Sequence, residues 1–284
     1  METAKDKYKT ARAFRVAIAD RLKKLSRETG ESHLELYRQI AIDRFLARID
    51  WTKWMAKGGY AMQRRLPKAR RTKDVDLATF DLSFMQTKQD EKEKLLTEAF
   101  QEFARVDLDD YFEFRVEAEK YLSAFGMGGM RCQIRCLLDE ETWSNFQLDA
   151  VIHVKEILPP ETFPGDSLLS FAGLEPLIIQ IPKKEEIFAE KIHAYTFPRE
   201  NENTRVKDLV DMYLLLEDGM VKSYANLAIN QVFKTRNTHE IPKALPAPPD
   251  SWQNIFKELA KESDISQTMT DAFHEIGVFY NSLR

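Results

Sequence analysis

Three aspartates stand where they could do chemistry. Asp74 and Asp76 are two apart in KDVDLATF (73–80), a run with strand character. On a strand both carboxylates point to one face, while Val75 and Leu77 point the other way, toward a core. Adjacent carboxylates repel, so ionising both costs energy. A divalent cation removes that cost, and hard oxygen donors at this spacing suit Mg2+. Asp149 lies inside a second strand-like run, FQLDAVIHV, where a charge needs a partner. If that strand neighbours the first, three carboxylates converge, enough for the two-metal arrangement used on phosphoryl centres. Asp-x-Asp alone is weak evidence, because an acidic strand end facing solvent reads the same way.

The stretch before the pair adds weight. Residues 57–77 read KGGYAMQRRLPKARRTKDVDL. Gly58 and Gly59 fall between a short strand-like run (52–56) and a helical turn (60–66). There a glycine turn lets backbone N–H groups approach an anion, and a helix start adds partial positive charge. Arg64, Arg65, Lys68, Arg70, Arg71 and Lys73 follow within ten residues of a chain whose net charge is −4. A solvated basic loop is the plain account. A polyphosphate or nucleic-acid backbone explains better why the run lies between an anion-suited turn and a metal-suited pair. The glycine loop 125–130 (FGMGGM) lacks the Lys-Ser/Thr ending of a phosphate-binding loop and reads as a hairpin connection.

Two further charges sit in apolar helical stripes. In KKEEIFAEKIHAYTF (183–197), Ile187, Phe188, Ile192, Ala194 and Tyr195 form one face, and Glu186, Glu190 and His193 lie opposite. Lys191 falls amid the apolar face, where a lysine is costly unless paired or snorkelling. Asp208 occupies the same position in the next helix, in line with Met212 and Leu215, while Lys207 and Asp211 lie nearer the edge. A Lys191–Asp208 ion pair would satisfy both without any function. An anion reaching Lys191 from another domain is the sharper reading.

The remaining chain must position these groups. Hydrophobic residues make up 43% and charged residues 31% of 284 residues, which suits a soluble globular chain of roughly two domains. Residues 9–26 and a segment beginning at Ser32, with Glu35 completing a capping-box pattern, read as helices. Residues 89–105 read as an amphipathic helix. Three strands follow in YFEFRVEAE, MRCQIRCLL and FQLDAVIHV, the last two separated by DEETWSN. The proline-rich segment 158–167 is the best boundary, and a short apolar run near 174–181 follows it. Helical patterns then cover 183–197, 204–217, 221–234 and 264–283. Cys132 and Cys136, four apart on one strand, read as small buried residues rather than a disulfide or metal pair. No run approaches membrane-span length and no leader is visible, so a cytoplasmic location is expected.

At this point the string from Lys57 to Leu77 resembles the first motif of the AbiEii/AbiGii-type nucleotidyltransferase toxins. FQLDAVI resembles the strand bearing that family's third aspartate, and 185–198 with 203–216 resemble its helical motifs. Tyr60 stands where the family often has Ser or Thr, and the strand after Asp149 runs on into His153. The resemblance implies an α+β fold: a polymerase-beta-like nucleotidyltransferase domain, a mixed sheet with flanking helices, followed by a C-terminal helical bundle. The expected division is N-terminal helices at 1–50, the nucleotidyltransferase domain at 51–160 and the helical domain at 168–284. It further implies a toxin of a toxin–antitoxin or phage-defence pair, transferring NMP from an NTP to an acceptor hydroxyl on tRNA or another RNA. Asp74, Asp76 and Asp149 are then the metal ligands, for Mg2+ or Mn2+. Lys191 and Asp208 join them as catalytic residues, and Lys57, Gly58, Gly59, Arg65, Arg71, Lys73 and Asp211 bind substrate. A cognate antitoxin is the expected protein partner, and no membrane is expected. Two alternatives stay open: nucleotidylation or phosphorylation of a protein hydroxyl, and a catalytically silent relative that binds RNA. A metal-dependent nuclease is weaker, because that chemistry does not need the glycine turn.

Overall fold

The computed structural model describes residues 3–81, 83–84, 88–122, 128–152 and 158–283. The chain divides into two compact units, one of Met1–Tyr60, Arg71–Lys155 and Thr162–Ile181, the other of Ala61–Arg70, Glu156–Glu161 and Pro182–Arg284.

The first unit opens with helices α1 (Ala4–Lys7), α2 (Ala11–Thr29) and α3 (His33–Leu46). Strand β1 (Trp54–Lys57), the first turn of helix α4 (Gly58–Arg65, which belongs to the second unit from Ala61), strand β2 (Asp74–Thr79) and helix α5 (Gln89–Arg105) follow. The long strands are β3 (Phe112–Leu122), β4 (Gly129–Leu138) and β5 (Glu141–Ile152). Five strands form one mixed sheet, ordered β1-β2-β5-β4-β3, in which only β2 and β5 run parallel. A short pair, β6 (Glu161–Pro164) and β7 (Ile178–Ile181), forms a second sheet.

The period of two in each strand sorts side chains between two faces. Val75, Leu77, Cys132, Ile134, Phe146, Leu148 and Ala150 point into the core and are buried. Helix α3 covers this face, with Phe45 edge-on to Phe114 and Phe146. Helix α5 packs Phe100 against Trp54 of β1. Arg44 of α3 and Arg48 in the turn just after it both bond the fully buried Asp110 just before β3, so the helix end is tied to the sheet by a satisfied charge cluster. Both cysteines are buried and free, and burial pushes the Cys132 thiol up to about 12.

Two local expectations fail. DEETWSN is not a seven-residue connection. Asp139 and Glu140 both take positive φ (58° and 61°), the signature of a two-residue type I′ turn, so β5 starts at Glu141. Ser32 caps α3 by position only. Its side chain makes no cap hydrogen bond, and its carbonyl accepts from the Glu35 and Leu36 amides.

The second unit is helical: α6 (Lys184–Thr196), α7 (Val206–Glu217), α8 (Lys222–Arg236), α9 (Gln253–Glu262) and α10 (Met269–Asn281). Helix α7 packs on α6, α9 and α10, and α6 packs on α7 and α8. Helix α9 is absent from the sequence reading, although Phe256, Leu259 and Ala260 form its buried stripe. Helix α10 begins at Met269 rather than 264, because Thr268 caps it by accepting from the Asp271 amide. The proline-rich segment 242–250 is pinned by tyrosine hydroxyls: Tyr280 donates to the Pro242 carbonyl and Tyr195 to that of Pro246.

Candidate active site

The face of the large sheet turned away from the core carries the acidic residues. Register places Lys57, Asp76, Asp149 and Arg131 in one row across β1, β2, β5 and β4. Asp74 lies one step back on β2, opposite Gln147. Neighbouring strands lie about 4.8 Å apart, so Asp76 and Asp149 are adjacent at the backbone. Asp74 is exposed, while Asp76 and Asp149 are half-buried. The row thus alternates as cation, two carboxylates, cation.

The two central carboxylates lean in opposite directions. Asp76 folds over Gly58, the first residue of α4. A Cβ on Gly58 would overlap Asp76 Oδ2 and come within 2.7 Å of its Cγ. Gly58 also holds φ at 57°, a backbone region that costs any side chain about 1 kcal/mol or more. Asp149 turns the other way, onto Arg131. Arg131 Nε donates to Oδ1 at 2.8 Å and Nη2 to Oδ2 at 2.6 Å, a bidentate pair. These hydrogen bonds hold the guanidinium above its ordinary range, against the opposing effect of burial. Among the described residues, no group of three His, Cys, Asp or Glu side chains is gathered as a ligand set. The donors are nevertheless of the right kind. Asp74, Asp76 and Asp149 supply hard oxygens from two adjacent strands on one face, and the glycine beneath Asp76 leaves room for its carboxylate. Such a set fits Mg2+ or Mn2+ once Asp149 turns from Arg131.

Gly58→Ala is expected to push the Asp76 carboxylate aside and lower catalytic rate on the order of 10²-fold, with far-UV circular dichroism unchanged. A variant as active as the parent would mean that this close approach has no catalytic part.

The other sequence candidates distribute between the units. Lys57 is buried on β1, and Gly59 is half-buried in the first turn of α4. Tyr60 is fully buried and its hydroxyl donates to Asp43 at 2.7 Å. Arg71 bonds Glu31 at 2.6 Å and lies 3.5 Å from Asp166. Lys73 is exposed beside Asp74. Arg65 belongs to the second unit, where it donates to Glu161 at 2.5 Å and to the Pro182 carbonyl at 2.7 Å. His153 and Gly126 lie outside the described residues.

Also in the second unit, Lys191 donates to Asp211 at 2.6 Å and to Asp208 at 3.2 Å. Burial opposes its charge, but the two carboxylates overcome that and hold the ammonium above the ordinary lysine range. Asp211, which the stripe places at the edge, is the deeper aspartate, only 2% exposed, and Lys207 is exposed. Of the residues expected opposite the apolar face of α6, Glu190 is half-buried and lies 3.5 Å from Arg236, while Glu186 and His193 are buried. Glu186 accepts from the Leu158 amide, and His193 Nε2 lies 2.8 Å from Thr238 Oγ1.

Burial, with Arg236 and His239 nearby, lowers the His193 pKa to about 4. The unfolded chain therefore takes up this proton first. The contribution to stability is whole above about pH 6.5 and declines as pH falls toward about 4. His193→Gln is expected to flatten that part of the pH–stability curve, read from urea midpoints across the interval.

An Asp-x-Asp strand on a mixed sheet, a glycine turn beneath it, a third aspartate in register beside it, and a helical unit in the same chain are the features the sequence leads one to expect of a nucleotidyltransferase. Residues 41–275 match the family model described as nucleotidyl transferase AbiEii toxin of type IV toxin–antitoxin systems, and the chain belongs to that family. Membership implies an NTP as substrate and an antitoxin as partner. MenT4, the nucleotidyltransferase toxin Rv2826c of Mycobacterium tuberculosis H37Rv, shares the fold at a TM-score of 0.56. The two are 16% identical, over 95% of this chain and 99% of that one. JHP933 from Helicobacter pylori aligns at a TM-score of 0.49 and 14% identity, over 89% of this chain and 92% of that one. No curated protein sequence matches the chain. No helix among the described residues is long and apolar enough to cross a membrane.

Proposed function

We propose that the chain transfers NMP from an NTP to the 3′ hydroxyl of an RNA, with tRNA as the favoured acceptor. One observation carries this reading: the register that sets Asp76 beside Asp149, with Asp74 on the same open face and Gly58 beneath. Asp74, Asp76 and Asp149 would hold Mg2+ or Mn2+, which supplies charge neutralisation at the phosphates and lowers the pKa of the attacking hydroxyl. The chain's own groups do the rest. The Gly58–Gly59 turn, Lys57, Arg71 and Lys73 bind and orient the triphosphate. Asp149 takes the acceptor proton as the new bond to the α-phosphorus forms. The bond to the bridging oxygen breaks and pyrophosphate leaves. Asp208 orients Lys191. Positioning and electrostatics supply most of the acceleration in such transfers. A cytoplasmic location and a role in phage defence belong to the same reading.

The open face favours RNA over a protein acceptor. Arg115 and Arg135 are direct cross-strand partners there, and like charges in that relation repel. Arg135 has Glu117 at 3.5 Å, on an exposed surface where one such pair is worth little. A phosphate backbone would relieve the repulsion. The test is label transfer to intact tRNA and to tRNA with its 3′ diol oxidised by periodate. Label on the first and none on the second is expected. Equal labelling of both, or label on protein alone, would refute the acceptor.

A further inference from the structure

The Asp149 carboxylate already has a cation. Both its oxygens are bonded by Arg131, its cross-strand partner. The Gln147 carboxamide lies beside the pair, its oxygen placed to accept from Arg131 Nε at 3.1 Å and Nη2 at 3.2 Å. The guanidinium is thus held in position from two sides. The Arg131 side chain is 35% exposed and that of Asp149 17% exposed, so the arginine is the partner of the pair that reaches solvent.

The arrangement answers an electrostatic need. Asp74, Asp76 and Asp149 are three carboxylates on two adjacent strands, and without compensation their repulsion would oppose ionisation. Asp76 shares its row with Lys57 on the far side, and Asp149 has Arg131. While Arg131 holds both oxygens, Asp149 has its bidentate partner and is turned from Asp76.

We propose that Arg131 is a resident counter-ion that competes with divalent metal for Asp149, so that Asp149 becomes a ligand only when the guanidinium lets go. The proposal rests on the reading of Asp74, Asp76 and Asp149 as a metal site. It makes Arg131 a positioning residue that sets metal affinity, and it assigns the freed guanidinium to the open face, where phosphate oxygens can take it. A merely structural cross-strand pair would be indifferent to metal.

The test is direct titration of the full chain with Mn2+ alone, followed by the electron paramagnetic resonance signal of the free ion. Arg131→Gln is expected to tighten Mn2+ binding about fivefold, the weight of one partly exposed ion pair. Asp149→Asn should weaken binding and, combined with Arg131→Gln, cancel the gain. Should Arg131→Gln fail to fold, Arg131→Lys, which keeps the charge and loses the fork, is expected to tighten binding about twofold. Equal affinity in parent and arginine variants, with Asp74→Asn abolishing binding, would overturn the counter-ion role and leave the metal site standing. Absence of Mn2+ binding in parent and variants alike would overturn both. Weaker binding in folded Arg131→Gln would mean that Arg131 supports the ligands, which also defeats the proposal.

Discussion

Asp76→Asn is expected to lower nucleotide transfer by about 10³-fold or more while leaving the unfolding midpoint nearly unchanged. The first half follows from the site. Asp76 is the carboxylate that sits over the Gly58 turn and beside Asp149, so it links the glycine turn to a second proposed metal ligand. Charge stabilisation by a metal at a phosphoryl centre is worth several kcal/mol, and about 4 kcal/mol corresponds to a 10³-fold change. The second half follows from its surroundings. Asp76 is half-buried on the open face, and asparagine keeps its volume, so no cavity forms in the core. Steady-state transfer rates and thermal unfolding together check both halves. A variant that is inactive because it is unfolded would not count in favour of the assignment.

Lys191→Met should act in the opposite order, on stability first. The ammonium lies between Asp211 and Asp208, and Asp211 is almost completely buried. Removing the cation leaves two carboxylates facing each other in a helical core, which costs about 3 kcal/mol or more. Because the folded pKa of Lys191 is raised, its contribution is whole below the ordinary lysine pKa and is lost only as pH climbs through the folded value, so neutral pH does not mask the effect. Adding Asp211→Asn removes one of the stranded charges and should recover much of the midpoint in urea. Transfer activity separates the two roles of the lysine. If Lys191 or Asp211 contacts the nucleotide, the double variant is folded and inactive. If the ion pair is structural alone, activity returns with stability.

How far these residues could be read in advance depended on the range of the forces involved. The Asp74–Asp76 face was legible because a period of two is local: Val75 and Leu77 buried on one side fix the aspartates on the other. The glycine turn was legible for the same reason, and so were most helices, whose 3.6-residue stripes span few turns. The Asp149–Arg131 pair was not, because pairing register is set by contacts distant in sequence. Arg131, Gln133 and Arg135 alternate visibly in MRCQIRCLL, yet nothing local says that Arg131 meets Asp149 rather than Gln147. The faces of α6 differ from the stripe because α7 and α8 pack on it: Glu185 and Glu186 go under and accept from backbone amides, while Glu190 stays half-buried beside Arg236. The depths of Asp208 and Asp211 were reversed for a related reason: a three-residue step moves a side chain only a short way round a helix, and packing decides which goes under. Helix α9 escaped notice because it is only ten residues long and follows a proline-rich segment, although its Phe256–Leu259–Ala260 spacing was there to find.

The central claim is that the Asp74–Asp76 strand catalyses transfer of NMP, with pyrophosphate leaving. Its most direct test is incubation of the protein with total tRNA, Mg2+ and each NTP in turn, labelled with 32P at either the α or the γ phosphate, followed by a denaturing gel. The account predicts an RNA band labelled from the α position only, for at least one of the nucleotides, and its loss with Asp76→Asn. Label arriving from the γ position, or an α-labelled band of undiminished strength in the Asp76 variant, would contradict it.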